Sequence, residues 1–361
     1  MKITKIGTPR VIMSGEGAPH GYFGWPTAAR IRDGRIAVGA SGFRVAHVCP
    51  FGKSVISFSD DDGKTYSKPV PVIDTVLDDR DAGLCPFGES GLIFTSFNNT
   101  VEFQRRYQIR KKRVNAEIDA YLDTVDPEAE KLALGSDFRV SFDNGRTWGE
   151  IFKSPVTSPH GPLELKDGRI LWVGRPFNVN GFEDEDRPFT RVCEMTPDGK
   201  MTEIGHVDDL YADDGQPICF CEPYLFECPD GKLLCHLRAE PQFTTFQSES
   251  NDGGRTWTKP HLLLPLDHGG APSHVMLHSS GILIASIGYR KGPYGIILLL
   301  SRDEGVTWED GGFLVDDSPN GDVGYPSTVE LKDGSLMTVY YGHAEGGGPA
   351  RIYQQNWTLE V

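Results

Sequence analysis

The chain has 361 residues, 38% of them apolar and 24% charged, so it can bury a large core and is not disordered by composition. Its 36 Lys and Arg stand against 51 Asp and Glu, and the resulting net charge of −15 argues against binding nucleic acid or an anionic membrane surface. An acidic small molecule stays compatible with that balance, because a local arginine cluster outweighs distant charge.

In chain order, the stretch from Met1 to Arg10 lacks the apolar run of an export signal, and Ile296-Ile-Leu-Leu-Leu300 is far too short to span a membrane. The seven cysteines (Cys49, Cys85, Cys193, Cys219, Cys221, Cys228 and Cys235) are an odd number and read as reduced thiols of a cytoplasmic protein. With 42 glycines and 25 prolines, many short strands joined by turns are expected.

Two repeats set the expected fold. The pattern Ser-x-Asp-x-Gly-x-Thr-aromatic occurs at Ser59–Tyr66, Ser141–Trp148, Ser250–Trp257 and Ser301–Trp308, each after a β-type run. It reads as a turn in which the Asp accepts backbone N–H bonds, the Gly supplies a positive φ and the ring staples the turn to the sheet. Turn dipeptides between apolar runs recur at Asp33-Gly34, Ser90-Gly91, Asp167-Gly168, Asp230-Gly231, Ser280-Gly281 and Asp333-Gly334. Six such units predict an all-β, six-bladed β-propeller, a single domain over 1–361. The third stapled turn is reduced to Pro197-Asp-Gly199. The sixth unit has none, so the N-terminal segment is expected to close that blade.

Residues 101–135 break the pattern. Arg105, Arg106, Arg110, Lys111, Lys112 and Arg113, then Glu117, Asp119 and Asp123, have helical spacing, and Pro127 is expected to separate two short helices. This helical insertion in the second blade reads as a solvated excursion, with a lid over the funnel or a dimer contact as the other readings.

The innermost strand of each blade lies along the central axis, so its first residues face a common funnel. Counting back from the turn glycines places Gly24-Trp25-Pro26, Asp79-Arg80-Asp81, Pro159-His160-Gly161-Pro162, Glu222-Pro223, Pro272-Ser273-His274 and Gly324-Tyr325-Pro326 at these starts. The returning strands bring Arg44, Asn98, Arg175, Arg238, Arg290 and His343 to the same rim. Four arginines among six positions, in an acidic chain, suggest a bidentate clamp for carboxylate or phosphate.

These residues resemble the sialidase superfamily. The stapled turn is similar to that family's Asp-box, or BNR repeat. Cys221-Glu222-Pro-Tyr-Leu-Phe-Glu227 with Arg238 resembles the segment of the general-base glutamate and second triad arginine. Gly288-Tyr289-Arg290 resembles the segment of the third arginine, and Gly324-Tyr325-Pro-Ser327 that of the nucleophilic tyrosine. The resemblance implies a retaining exo-glycoside hydrolase for a terminal acidic sugar, sialic acid or a related keto or uronic acid, needing no metal or organic cofactor. A carboxylate beside the anomeric carbon repels an Asp or Glu nucleophile, whereas a phenol needs only a base such as Glu222. Two departures stand out: Phe23-Gly24-Trp25-Pro26 replaces the segment with the first triad arginine, and Ser41–Pro50 holds no aspartate for acid/base work. Arg44 or Arg80 could restore the clamp, and Asp79, Asp81 or His47 could donate the proton. Arg175, His160 and His274 are further substrate-contact candidates, and Trp25 is the tryptophan best placed to stack on a sugar. A non-catalytic propeller binding acidic glycans, and a lyase or isomerase acting on an acidic sugar, are the competing readings. Cys219-x-Cys221 lacks a second ligand pair and reads as buried thiols rather than a metal site.

Overall fold

All six turn dipeptides close hairpins between the first and second strands of separate antiparallel sheets in the computed structural model, which describes every residue except 16, 113, 177–189 and 241–243. The protein is a six-bladed β-propeller. The innermost strands of blades 1, 2, 4, 5 and 6 are Tyr22–Arg30, Arg80–Phe87, Pro217–Glu227, Ser273–Leu277 and Gly324–Glu330. In blade 3 the inner edge is split into Val156–Thr157 and Leu163–Glu164, both paired with Ile170–Pro176. The sixth blade closes as expected: Lys2–Met13 pairs antiparallel with Arg351–Glu360, Lys2 opposite Glu360.

The core is a ring of wedges between blades. Strand Tyr294–Ser301 of blade 5 shows why its run of aliphatic residues is needed. Ile296, Leu298 and Leu300 pack with Leu336 and Trp357 of blade 6, while Ile297 and Leu299 pack with Leu234 and Leu263 of blade 4. A strand buried on both faces cannot alternate apolar with polar.

The four stapled turns join third and fourth strands. In the second of them, Asp143 Oδ1 accepts from Arg146 N at 3.0 Å and Thr147 N at 2.8 Å, and Oδ2 accepts from Thr147 Oγ1 at 2.6 Å. Two residues in succession are left-handed, Asn144 at φ 57° and Gly145 at φ 80°. The expected stapling of the ring onto its own sheet is only half of the arrangement. Tyr66, Trp148, Trp257 and Trp308 each pack in the wedge shared with the preceding blade, so the turn fastens blade to blade. These turns share a rim with the first-strand hairpins, as the bond from Asn144 N to Ser90 O shows. The strand starts lie at the opposite rim.

The insertion forms three helices, not two: α1 (Val101–Lys111), α2 (Ala116–Leu122) and α3 (Pro127–Ala133). Pro127 opens α3 behind the cap Asp126, and the unexpected break is made by Asn115, whose side chain caps α2. The insertion is docked rather than freely solvated. Ile118 and Leu122 pack on Cys49 of the blade 1 loop, and Tyr121 donates to Val76 O at 3.2 Å. Of its predicted basic residues, Arg113 lies outside the described residues.

Candidate active site

Four inner strands begin with the same irregularity. The ladder register slips between Gly24 and Thr27, Arg80 and Gly83, Cys221 and Tyr224, and Gly324 and Ser327. Inside each slip one residue is left-handed: Trp25 at φ 53°, Asp81 at 52°, Glu222 at 50° and Tyr325 at 50°. Such a conformation costs a non-glycine residue roughly 1–2 kcal/mol, and a bulge of this kind re-aims a side chain. Blade 3 has glycine at the same station. Gly161 (φ 80°) lies back to back with Gly83, and a Cβ there would meet the Gly83 backbone at 3.3 Å.

The re-aimed side chains meet across the axis. The Tyr325 hydroxyl of blade 6 donates to Glu222 Oε1 of blade 4, and Arg238 Nη1 donates to Glu222 Oε2. Arg238 Nη2 donates to Glu240, while its Nε is buried without a partner among the described residues. Arg290 reaches the cluster from blade 5 with its Cζ 5.7 Å from the Tyr325 ring centroid. Its Nε donates to Val323 O at 2.9 Å, Nη1 to Gly270 O at 2.9 Å and Nη2 to the Tyr341 hydroxyl at 3.3 Å. Two of its five N–H groups stay uncommitted in those bonds.

Electrostatics divide the three acids at this rim. Burial opposes the Glu222 charge, but Arg238, the Tyr325 hydroxyl and Arg290 outweigh it and hold the carboxyl below its usual range. Burial, then the charges of Glu222 and Asp81, push the Tyr325 phenol well above its usual value. Asp81 goes the other way from Glu222: burial and the nearby Glu222 charge raise it to about 7 against the pull of Arg80, and its Oδ1 has no partner among the described residues. One acid is held ionised and the other protonated below neutrality.

Several predicted site residues lie elsewhere. Arg44 is fully buried; it pairs with Asp78 at 2.5 Å and donates to Ser41 Oγ and to the carbonyls of Ala46, His47 and Asp79, so its guanidinium is engaged by the protein itself. Asp79 accepts from Thr75 N at 2.6 Å, Thr75 Oγ1 at 2.9 Å and Asn98 Nδ2 at 3.3 Å, so it fastens its own loop. Trp25 is 1% exposed, and its indole is covered by the guanidinium groups of Arg80 at 4.3 Å and Arg44 at 4.9 Å. It cannot stack on a sugar. Arg80 does belong to the rim, with a buried Nε that lacks a partner among the described residues. His160 and His274 pack with Tyr224 around a cavity of about 270 Å³ further along the axis. Burial keeps His160 neutral, pulling it down to about 3. Arg175 lies within electrostatic reach of Cys221.

His47 sits beside a group that sequence reasoning missed. The Asp322 carboxylate accepts from the Tyr341 hydroxyl at 2.9 Å and the Tyr22 hydroxyl at 3.3 Å, with His343 Nε2 at 2.9 Å and His47 Nδ1 at 3.4 Å. The insertion touches this region: Tyr107 of α1 stacks on His47 with ring centroids 6.4 Å apart.

An axial site built from the strand starts of a six-bladed propeller with repeated Asp-containing turns defines the class, a propeller of the sialidase and BNR-repeat kind. The family model described as "BNR repeat-like domain" matches residues 125–338, and the chain belongs to that family. No curated protein matches it. A structure of a protein of unknown function from Dyadobacter fermentans is 19% identical with a TM-score of 0.77, covering 99% of both chains. The NanB sialidase of Streptococcus pneumoniae is 13% identical with a TM-score of 0.70, over 97% of this chain and 70% of its own. The α-L-arabinanase of Penicillium chrysogenum is 14% identical with a TM-score of 0.64, over 98% of each. The fold is therefore one that glycoside hydrolases of different substrates share.

Proposed function

We propose that the protein is a sialidase-like exo-acting glycoside hydrolase that removes a terminal acidic sugar, with Tyr325 as nucleophile. The observation that carries this reading is the Tyr325 to Glu222 hydrogen bond, flanked by Arg238 and Arg290. In the free site Glu222 is a weak base because Arg238 holds its charge. A substrate carboxylate bound to Arg238 and Arg290 competes for those guanidinium groups, frees Glu222 and makes it able to take the phenol proton as Tyr325 attacks the anomeric carbon. Arg80, resting on Trp25, supplies the third guanidinium that blade 1 lacks. Asp81, protonated and with an Oδ1 that has no hydrogen-bond partner among the described residues, gives its proton to the departing oxygen, and as the carboxylate then activates the water that releases the sugar.

The test is a panel of fluorogenic sialic, ketodeoxy and uronic acid glycosides. Turnover of one of them should fall roughly 10²–10⁴-fold in Tyr325→Phe and in Glu222→Gln. Arg238→Lys with Arg290→Lys should raise KM steeply, because a lysine cannot grip a carboxylate with two parallel bonds. Binding of the panel without any turnover assigns the site to glycan recognition instead.

A further inference from the structure

The residue between Ser and Asp of a stapled turn is Asp60, Asn251 and Arg302 in blades 1, 4 and 5, but Phe142 in blade 2. Phe142 is 66% exposed and stands edge-on to Phe87 with ring centroids 6.0 Å apart. With Val140 and Phe152 of blade 2 and Pro197 of blade 3 it lines a groove of about 860 Å³. The corresponding place on blade 4 holds about 250 Å³, lined by Glu249 and Asn251 where blade 2 has Val140 and Phe142. An exposed ring in an enlarged apolar groove marks a contact surface.

The groove lies where a seam lacks the fastening that others share. Between blades 1 and 2, Trp148 packs beside Phe58, while Arg35 covers Phe58 at 4.4 Å and donates to Asn144 O at 2.7 Å. Between blades 6 and 1, Arg10 lies 5.8 Å from the Tyr66 ring centroid and donates to Gly63 O. Between blades 3 and 4, Trp257 is accompanied by Arg169, which donates to Gly253 O at 3.2 Å. A turn ring and a guanidinium close each of these three seams. Between blades 2 and 3 the turn Pro197-Asp198-Gly199 carries no ring, and the hairpin Ser90-Gly91-Leu92 has leucine where blades 1 and 3 have Arg35 and Arg169.

The charged groups on the groove's lining are all acids: Asp143, Glu150 and Asp198. Cations of the flanking elements are engaged elsewhere. Arg139 donates to the carbonyls of Gly149, Val72 and Trp148, Arg146 to Asp33 at 3.2 Å, and Lys153 pairs with Asp137 at 2.6 Å. Lys200, beside Asp198, offsets one of the three acids. We infer that this seam docks a segment of a partner protein that presents an aromatic ring next to arginine or lysine, supplying from outside the pair of groups that the other seams hold within the chain. The ring enters between Phe142 and Pro197, and the cation faces Glu150 and Asp143. The acidic rim and a net charge of −15 argue against a second copy of this chain. The inference does not rest on the hydrolase reading, because the stapled turns lie at the rim opposite the axial strand starts.

The probe is the peptide acetyl-Ser-Arg-Trp-Arg-Ser-amide, titrated against the full chain by saturation-transfer NMR. It should bind the parent protein. Replacing its tryptophan by alanine, or both arginines by glutamate, should weaken binding roughly tenfold or more. Phe142→Asn gives blade 2 the residue that blade 4 carries at this station, so the turn is kept, and the variant should lose a similar factor. Glu150→Lys, at an exposed position, should lose it as well and provides a second reading should Phe142→Asn alter Tm. No peptide signal, equal binding by the parent and both variants, or equal binding of the alanine or glutamate peptide overturns the docking site. A parent dimer in sedimentation that Phe142→Asn dissolves gives the groove to a second copy and overturns it too.

Discussion

Asp81 is the residue whose two duties conflict. Its buried carboxyl is raised from the usual 3.8 to about 7, so the folded chain holds this proton more tightly than the unfolded one. The stability it contributes is full below pH 3.8 and is lost as pH climbs to about 7. Above that window the buried charge works against folding. Asp81→Asn should therefore be more stable than the parent at pH 8, by at most about 4 kcal/mol at 1.36 kcal/mol per pH unit, and nearly equal to it at pH 4. Urea unfolding at both pH values measures this. In the hydrolase reading, the parent's kcat/KM should fall above about pH 7, and Asp81→Asn should lose both the rate and that limb. The meeting of Tyr325, Glu222, Arg238 and Arg290 was legible in sequence, because the distance to a turn glycine fixes where an inner strand starts. Arg44 and Trp25 were misplaced because a register count does not show what buries a side chain. Asp322 carried no local signal, since its Tyr22 partner is 300 residues away.

At the scale of elements, the stapled turns are the most repeated device. Asp252 accepts from Arg255 N, Thr256 N and Thr256 Oγ1, and those bonds hold its carboxyl down at about 2. A lowered carboxyl gives stability that is complete above the usual 3.8 and lost as pH falls through about 2. Asp252→Ala should lower Tm at pH 7 by about 1–3 °C, lose part of that deficit toward pH 2, and leave activity intact. Scanning calorimetry across that range reads it. The turn itself was legible because each of its residue types has a local backbone reason. Its grip on the neighbouring blade was not, because it depends on where Leu171 or Phe58 of another sheet arrives. Likewise Pro127 announced a helix start, whereas the Asn115 cap was overlooked and two helices were read as one.

Across the whole molecule, the ring closes only because the first strand completes the last sheet. Ile3 packs in the blade 5 to blade 6 wedge with the buried Trp357 and Leu336, so removing residues 1–13 uncovers apolar surface as well as a strand edge. A chain lacking those residues should aggregate or melt at least 10 °C lower, read by light scattering and thermal unfolding. Closure of this kind was legible from the missing sixth stapled turn. The equivalent bulges at Trp25, Asp81, Glu222 and Tyr325 were not, since backbone handedness leaves little trace beyond the proline that follows three of them. They make the strand starts interchangeable mounts. An indole, two carboxyls and a phenol already ride on one shared backbone shape, so the chemistry of the axis can be rewritten by exchanging a passenger while the chassis stays as it is.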